Sequence, residues 1–397
     1  MKIFVNALIK KLQMKKRHIT FITGTRAEYG LMKNTLLKLR SDTFFNLSLI
    51  VTGAHLMHDR GFTIDEIRKD GFDVKGEVDL ELKGDSEFDA ALAFGNACIG
   101  IAKSLHETKP DIVLIVGDRT ETLAAACISA HMDIPIAHIA GGDVSGSLDN
   151  SMRHAITKLS HIHFPSNKHS ADIIKKLGEK PSTIFIVGAP NLDSIRQRDY
   201  TKSEDVFKKF KLEKDKPIAL LVQHSVTTDL EDVDKQIRAT IEAINELKLQ
   251  TIAVYPNIDA GNFTIIRELE NARNKFIKVF KNIERKDFLG LMNIASLMIG
   301  NSSSAIIEAP SFGLPAVNIS TRQSDRVRGK NIIDVPYDKE KIKSAIKKAI
   351  YDKKFISIVK KSTNPYGDWH SAEKIVNVLK KIKLDKKLLQ KEIWYKN

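Results

Sequence analysis

The sequence contains little cysteine and no long apolar run. Cys98 and Cys127 are its two cysteines among 397 residues, and both lie in alanine-rich stretches. This count argues against a disulfide framework or a zinc site, and it indicates buried thiols in a reducing compartment. No apolar run approaches the roughly 20 residues that a membrane span requires. We therefore expect a cytoplasmic protein with no membrane partner.

The chain also lacks the signatures of phosphoryl transfer. It has neither a Walker A lysine motif nor an acid-rich metal cage, so we expect neither a metal nor a cofactor. Residues 1–14 are basic and partly apolar but lack the long apolar core and cleavage site of a signal peptide. We attach no function to them.

Basic residues are in excess, and the net charge is +14. Much of the lysine lies in helical patterns such as residues 341–361, and aromatic residues are not interleaved with the basic ones. A solvated helix face explains this pattern better than nucleic-acid binding does. The charge equally suits attraction of an anionic small substrate.

The length suits two domains rather than one core. Short apolar runs alternate with helical patterns, which predicts an α/β fold with two doubly wound, Rossmann-like domains facing a cleft. We place the domains at residues 1–195 and 196–397, with the linker and a helix in 197–216 and the last helix, 371–391, crossing back onto the first domain. The predicted strands are 18–23, 47–52, a short one near 73, 111–116, 134–138, 161–164, 184–187, 218–222, 251–255, 276–279, 297–299 and 315–319.

Polar loops follow several of these strands. The glycine-rich loop within residues 138–154 carries Asp143 and Asp149, and Asp118 directly follows an earlier strand. Ligands of open α/β sheets bind at such strand ends. For any one acid alone, helix capping or turn chemistry is the simpler explanation.

The second half offers a different set of groups. Ser302, Ser303 and Glu308 open a helix, and Arg322 follows a later strand. Hydroxyls and backbone N–H groups at a helix start bind phosphate, and a buried glutamate accepts ribose hydroxyls, so this wall suits a nucleotide diphosphate. In the first half, the loop with Arg26 is either a phosphate loop or an ordinary turn, and we expect His55 to make polar contacts to substrate.

Nine motifs follow one another over about residues 18–380: GTRAEYG, VTGAHL, GDR, HIAGGDVSG, LDNSMRHAITKLSHIHF, QHSVTTD, PNIDAG, GNSSSAIIEAPSFG and TRQSDRVRG. Together and in this order they resemble the hydrolysing branch of the UDP-N-acetylglucosamine 2-epimerases. The resemblance implies a glycosyltransferase-B type fold and conversion of UDP-GlcNAc and water to N-acetylmannosamine and UDP through a 2-acetamidoglucal.

The same resemblance implies roles for individual residues. Asp118 and Asp149 match catalytic acids, and His224 matches a site histidine. Further residues in the motifs are expected to contact substrate: Arg26, Arg119, Arg153, Asn257, Ser302, Ser303, Glu308 and Arg322.

One position departs from the family pattern. Many members have a catalytic glutamate in HIEGG where this chain has Ala140, and Asp143 stands where relatives usually have glutamate. Either Asp143 takes over the acid–base role, or the proton relay differs, or the substrate differs. A related subgroup hydrolyses nucleotide-linked 2,4-diacetamido sugars, which is our alternative substrate class.

The sequence leaves other activities open. A non-hydrolysing 2-epimerase would return the UDP-linked epimer, a glycosyltransferase of the same fold would need an acceptor, and a sugar-nucleotide sensor would show no turnover. We favour the hydrolysing epimerase, with a sugar nucleotide as partner and a homo-oligomeric state, dimer or tetramer.

Overall fold

The computed structural model describes residues 16–395, except 83, 85, 145–147, 227–228, 258, 325 and 368 and the side chains of 148 and 149. Within these residues the strands form two six-stranded sheets, one in each half of the chain. The first contains β1 Arg17–Thr23, β2 Phe45–Thr52, β3 Val74–Val78, β4 Ile112–Val116, β5 Ile136–Ile139 and β6 Ile162–Phe164. The second contains β7 Ile218–Val222, β8 Gln250–Val254, β9 Ile277–Phe280, β10 Leu297–Gly300, β11 Ala316–Ile319 and β12 Ile332–Val335.

Both sheets are parallel and have the same strand order. The first runs β3-β2-β1-β4-β5-β6 and the second β12-β11-β10-β7-β8-β9. The chain therefore reverses direction across each sheet between β1 and β4, and between β7 and β10. Ligands of doubly wound folds bind at such switch points. The predicted pair of Rossmann-like sheets is confirmed.

Helices cover both faces of each sheet. The middle strands are consequently buried throughout, as β4 and β7 are at every position. In the first half the helices are α1 Arg26–Ser41, α2 Ile64–Lys69, α3 Glu87–Thr108, α4 Thr120–His131, α5 Leu148–Leu159, α6 Lys168–Lys176 and α7 Leu192–Arg196. In the second half they are α8 Ser203–Lys209, α9 Val233–Glu246, α10 Asn262–Asn271, α11 Arg285–Ile294, α12 Ser303–Ile307, α13 Lys339–Tyr351, α14 Lys353–Lys360, α15 Ser371–Lys381 and α16 Lys386–Leu389.

Helix α15 packs on the core of the first sheet although it follows the second sheet in sequence. Its apolar residues Ile375, Val376 and Leu379 belong to that core. The carboxylate of Asp193 accepts hydrogen bonds from the backbone amides at the start of α15, at 3.1 and 2.8 Å. An acid at a helix N-terminus is electrostatically favourable, so Asp193 fixes the point where the chain returns.

The structure differs from the strand prediction at two places. Residues 184–187 do not form a strand, because this segment makes only one bridge, between His163 and Ile184, after a turn that contains Pro181. Strand β12 was not predicted, since it is a half-buried edge strand with little apolar alternation. Among the described residues, no helix is long and apolar enough to cross a membrane.

Candidate active site

A cavity of about 330 Å³ is lined by residues from the strand ends of both sheets. It contains most of the residues that sequence reasoning singled out. These are Arg26, Asp118, Arg119, Asp143, Arg153, His224, Asn257, Ser302, Ser303, Glu308 and Arg322.

Asp118 lies just after β4, where the backbone turns through Gly117 at a φ of 81°. The carbonyl of Gly117 accepts a hydrogen bond from His138 Nε2 at 2.8 Å, and its amide donates to the next strand. The carboxylate of Asp118 forms an ion pair with Arg153, whose side chain is only 2% exposed. A nearly buried guanidinium thus fixes the position of this carboxylate at the cavity wall.

Asp143 is 4% exposed and is held from two sides. Its Oδ1 accepts the Ser170 hydroxyl at 2.5 Å, and its Oδ2 lies 4.0 Å from Arg326 of the second half. The guanidinium of Arg153 also donates to the Asp143 carbonyl oxygen at 2.9 Å. Asp118 and Asp143 therefore share Arg153 and lie together on the first wall.

His224 is a neutral hydrogen-bond donor in the second half. Its Nδ1 accepts the backbone N–H of Asn257 at 3.0 Å, which places the ring proton on Nε2. Burial, together with the nearby positive charge of Arg322, lowers the pKa of His224 to about 3. His224 can therefore donate to a ligand oxygen but cannot add positive charge near neutral pH.

Asn301 locks two strand ends of the second sheet together. Its Oδ1 accepts the His224 backbone N–H at 2.7 Å, and its Nδ2 donates to the His224 carbonyl at 2.9 Å. The preceding Gly300 has a φ of 118°, and a Cβ there would lie 2.1 Å from the carbonyl oxygen of Val222. Only glycine allows the two backbones to approach so closely.

The loop after β10 opens α12. The Ser302 hydroxyl accepts the N–H of Ser304 at 3.3 Å and caps this short helix. Across the cavity, Arg119 lies 3.2 Å from Asp259 and Arg322 lies 3.6 Å from the same carboxylate. Burial opposes ionisation of Asp259, but the two arginines outweigh it and lower its pKa. One carboxylate thus links an arginine of each half.

Two predicted nucleotide contacts have protein partners of their own. Glu308 is 1% exposed and forms an ion pair with Arg285, which also donates to the Asn191 carbonyl at 3.3 Å. Arg26 forms a two-pronged contact with Glu66, at 2.9 and 3.2 Å. Each charge therefore faces the cavity already compensated.

The structure does not bring His55 into the cavity. The residue is fully buried, and its ring nitrogens contact the hydroxyls of Thr23 at 3.2 Å and Thr63 at 2.8 Å. Burial lowers its pKa to about 3, so His55 is a neutral packing residue rather than the expected substrate contact. Asp149 lies in the first turn of α5, and its side chain is outside the described part of the structure.

Several cavity residues were missed by sequence reasoning. They are Arg60, Arg285 and Arg326, together with Asn301 behind the wall. Arg326 had a signal, because it stands four residues after Arg322 in an arginine-rich loop. Arg60 and Arg285 had none, because their partners, Asn262 and Glu308, are distant in sequence.

The fold and cavity together define a protein of the glycosyltransferase-B architecture, with two Rossmann-like domains and a polar cleft at their switch points. A crystal structure of a UDP-GlcNAc 2-epimerase from Neisseria meningitidis bound to UDP-GlcNAc has this fold. It matches with a TM-score of 0.76 and 19% identity, over 91% of this chain and 99% of that one.

Sequence similarity defines the family. A family described as UDP-N-acetylglucosamine 2-epimerase matches residues 37–380. A UDP-N,N'-diacetylbacillosamine 2-epimerase (hydrolyzing) from Legionella pneumophila is 38% identical over 378 residues, covering 94% of this chain and 98% of the relative. A GDP/UDP-N,N'-diacetylbacillosamine 2-epimerase (hydrolyzing) from Campylobacter jejuni is 34% identical over 326 residues, covering 81% and 85%. The chain belongs to the UDP-N-acetylglucosamine 2-epimerase family and is an epimerase.

Proposed function

We propose that the protein is a hydrolysing 2-epimerase of a UDP-linked 2,4-diacetamido sugar. In this reaction the C2 proton is removed and the C1–O bond to UDP breaks, leaving a C1–C2 double bond in a 2-acetamidoglycal. Water then adds across that bond, its hydroxyl at C1 and a proton on the opposite face of C2. The products are the free 2-epimer and UDP.

The observation that carries the proposal is one cavity with two unlike walls. Asp118 and Asp143 line one side, and His224, Ser302 and Arg322 line the other. The C2 hydrogen is not next to a carbonyl and is scarcely acidic, so departure of UDP must run ahead of proton loss. Carboxylates stabilise the positive charge that then develops on the ring, and they accept and return the proton.

The other wall stabilises the leaving group. As the C1–O bond breaks, negative charge builds on the diphosphate. Arg322 offers charge, Ser302 a hydroxyl and His224 an Nε2–H donor, and all three are fixed by protein contacts before a ligand arrives. Fixed donors stabilise developing charge without reorganising during the reaction.

The substrate class follows the relatives rather than our first expectation. The sequence led us to expect UDP-GlcNAc, with 2,4-diacetamido sugars as the alternative. The hydrolysing relatives from Legionella and Campylobacter, at 38% and 34% identity, are named for diacetylbacillosamine. This similarity supports the alternative, so we propose that the sugar carries acetamido groups at both C2 and C4.

Product analysis in heavy water tests the proposal. The protein is incubated separately with UDP-N,N'-diacetylbacillosamine and with UDP-GlcNAc, and the products are followed by NMR. We expect UDP and the free 2-epimer, with deuterium at C2, and faster turnover of the diacetamido substrate. A UDP-linked epimer as the final product, or no turnover without an acceptor, would overturn the proposal. Faster turnover of UDP-GlcNAc would return the assignment to our first expectation.

A further inference from the structure

Three neighbouring strands of the first sheet end in small residues that line the cavity. They are Gly117 after β4, Ala140 after β5 and Ser166 two residues after β6. Backbone hydrogen bonds fix their order, because Gly117 N–H donates to Ile139 at 3.0 Å and Ala140 N–H donates to Phe164 at 3.1 Å. Since parallel strands lie roughly 4.8 Å apart, the three positions form a row about 10 Å long.

This row leaves space beside Asp118. A Cβ built at Gly117 would have no atom within 4 Å. Ala140 contributes a single methyl group, and both residues have left-handed backbones, with φ of 81° and 61°. The wall therefore has a recess next to the carboxylate that we place at the reacting carbons.

Ser166 supplies a polar group at the end of the recess. The residue is only 4% exposed and lines the cavity, whereas its hydroxyl is not among the fully buried polar atoms that lack a partner. A serine hydroxyl at a cavity wall can donate a hydrogen bond to a ligand or accept one from it. The hydroxyl of Ser170, four residues later, by contrast donates a hydrogen bond to Asp143.

We propose that Gly117, Ala140 and Ser166 form the subsite for the second acetamido group of the sugar. This inference rests on the proposed function and adds the residues that select the substrate. The space beside Gly117 and Ala140 admits the acetyl group, and the Ser166 hydroxyl hydrogen-bonds with its amide. Gly117 directly precedes Asp118 and Ala140 lies three residues before Asp143, so the recess belongs to the wall with the acids, where we place the sugar.

Chemistry favours an amide over other occupants of this subsite. An acetamido group has an apolar methyl as well as a polar N–H and C=O. The methyl suits the side-chain-free surface at Gly117 and Ala140, and the amide suits a single hydroxyl that can donate or accept. A phosphate would require a cation or several N–H donors, and the row itself contains no charged side chain.

Substrate preference measures the proposal directly. The variants are Ala140→Asn, which fills the recess with a residue that tolerates a positive φ, and Ser166→Ala, which removes the hydroxyl. The matched control is Ser129→Ala, since Ser129 is a buried serine whose hydroxyl has no hydrogen-bond partner among the described residues and which lies outside the cavity. For each protein, kcat/KM is measured with UDP-N,N'-diacetylbacillosamine and with UDP-GlcNAc.

We expect the two variants to change the ratio of kcat/KM for the diacetamido substrate to kcat/KM for UDP-GlcNAc. Ser166→Ala should lower kcat/KM for the diacetamido substrate by roughly three- to tenfold, and Ala140→Asn by about 10- to 100-fold. UDP-GlcNAc, which has a hydroxyl at C4, should be affected at most about twofold by Ser166→Ala. The control should leave both values unchanged.

The outcomes separate this inference from the proposed function. Equal losses on both substrates in either variant would overturn the subsite while leaving the function intact. A wild-type enzyme that prefers UDP-GlcNAc, or that does not release free sugar, would instead overturn the proposed function. Thermal unfolding of each variant shows whether a loss of activity reflects impaired folding. Impaired folding would lower the activity on both substrates together.

Discussion

The two walls of the cavity are both largely buried, but they are polar in different ways. The first wall uses full charges in close pairs, as in Asp118 with Arg153. The second wall relies more on neutral groups whose orientation is fixed, such as His224 held by Asn257 and Asn301. A carboxylate can accept and return a proton, whereas a fixed dipole only stabilises charge. The difference matches a reaction that moves a proton at one end and releases an anion at the other.

Asp259 connects the two walls. It belongs to the second half but lies within 3.2 Å of Arg119 from the first and 3.6 Å of Arg322 from its own. Without a ligand, this carboxylate balances two cations that face the cavity. A diphosphate bound nearby would share the same cations. Its binding at the second wall would therefore also change the contacts of Arg119 on the first wall.

The largest expected effect on turnover comes from a change in the first wall. Replacing Asp118 by Asn keeps the shape but removes the charge paired with Arg153. Turnover should fall by at least about a hundredfold while UDP still binds, because a positioned acid–base group contributes that much. Steady-state kinetics and calorimetry with UDP measure the two effects separately.

The matched control is Asp133→Asn, at an exposed turn before β5 where the backbone has a φ of 54°. Asn also adopts this conformation readily, so the control should retain full activity. Wild-type turnover in the Asp118 variant would remove it from the mechanism. The resemblance predicts the same loss for Asp149→Asn.

The second wall should show the opposite pattern. Arg322→Ala should weaken UDP binding by about 1.5–3 kcal/mol, the scale of a charge-assisted hydrogen bond. Isothermal titration calorimetry with UDP measures this, and Arg267→Ala, which removes an exposed arginine outside the cavity, is the control. Unchanged UDP affinity would exclude Arg322 from the nucleotide site.

Two buried neutral histidines should make the protein sensitive to acid: His224 lines the cavity, and His138 lies behind the first wall, where it bonds the Gly117 carbonyl. Burial lowers the pKa of His138 and of His224 to about 3, below the ordinary value of 6.5. As the pH falls below 6.5, the unfolded chain binds protons that the folded protein excludes, so stability decreases towards pH 3. The loss is at most about 1.4 kcal/mol per pH unit for each histidine.

Urea unfolding at pH 7, 5.5 and 4 measures this dependence. His138→Gln should flatten it, whereas His106→Gln, at an exposed helix position, should not. An unchanged slope in the His138 variant would mean that the ring is protonated in the folded protein or that its burial is relieved by water.

The part of the site that the sequence predicted consists of residues that directly follow buried strands. Asp118 and Ser302 were found in this way, because the apolar run before each one marks a strand end. Residues whose roles depend on distant partners were not found. Asn301 acts through His224, 77 positions away, and nothing local distinguishes it from a turn residue. The prediction for His55 was wrong for the opposite reason. Its sequence neighbours suggested a substrate site, whereas its ring nitrogens bond two buried threonines.

The smallest expected effect compares backbone strain on the two walls. Ala140 and Ser320 each follow a strand with a left-handed backbone, at φ of 61° and 80°. Ala140→Gly should stabilise the protein by about 1 kcal/mol, because glycine adopts this conformation without steric cost. Ser320→Gly should gain less, because its hydroxyl accepts the Arg322 N–H at 3.4 Å and contacts Asn301 at 3.5 Å. Urea unfolding of both variants measures the difference, and equal gains would show that the Ser320 hydroxyl does not stabilise the second wall.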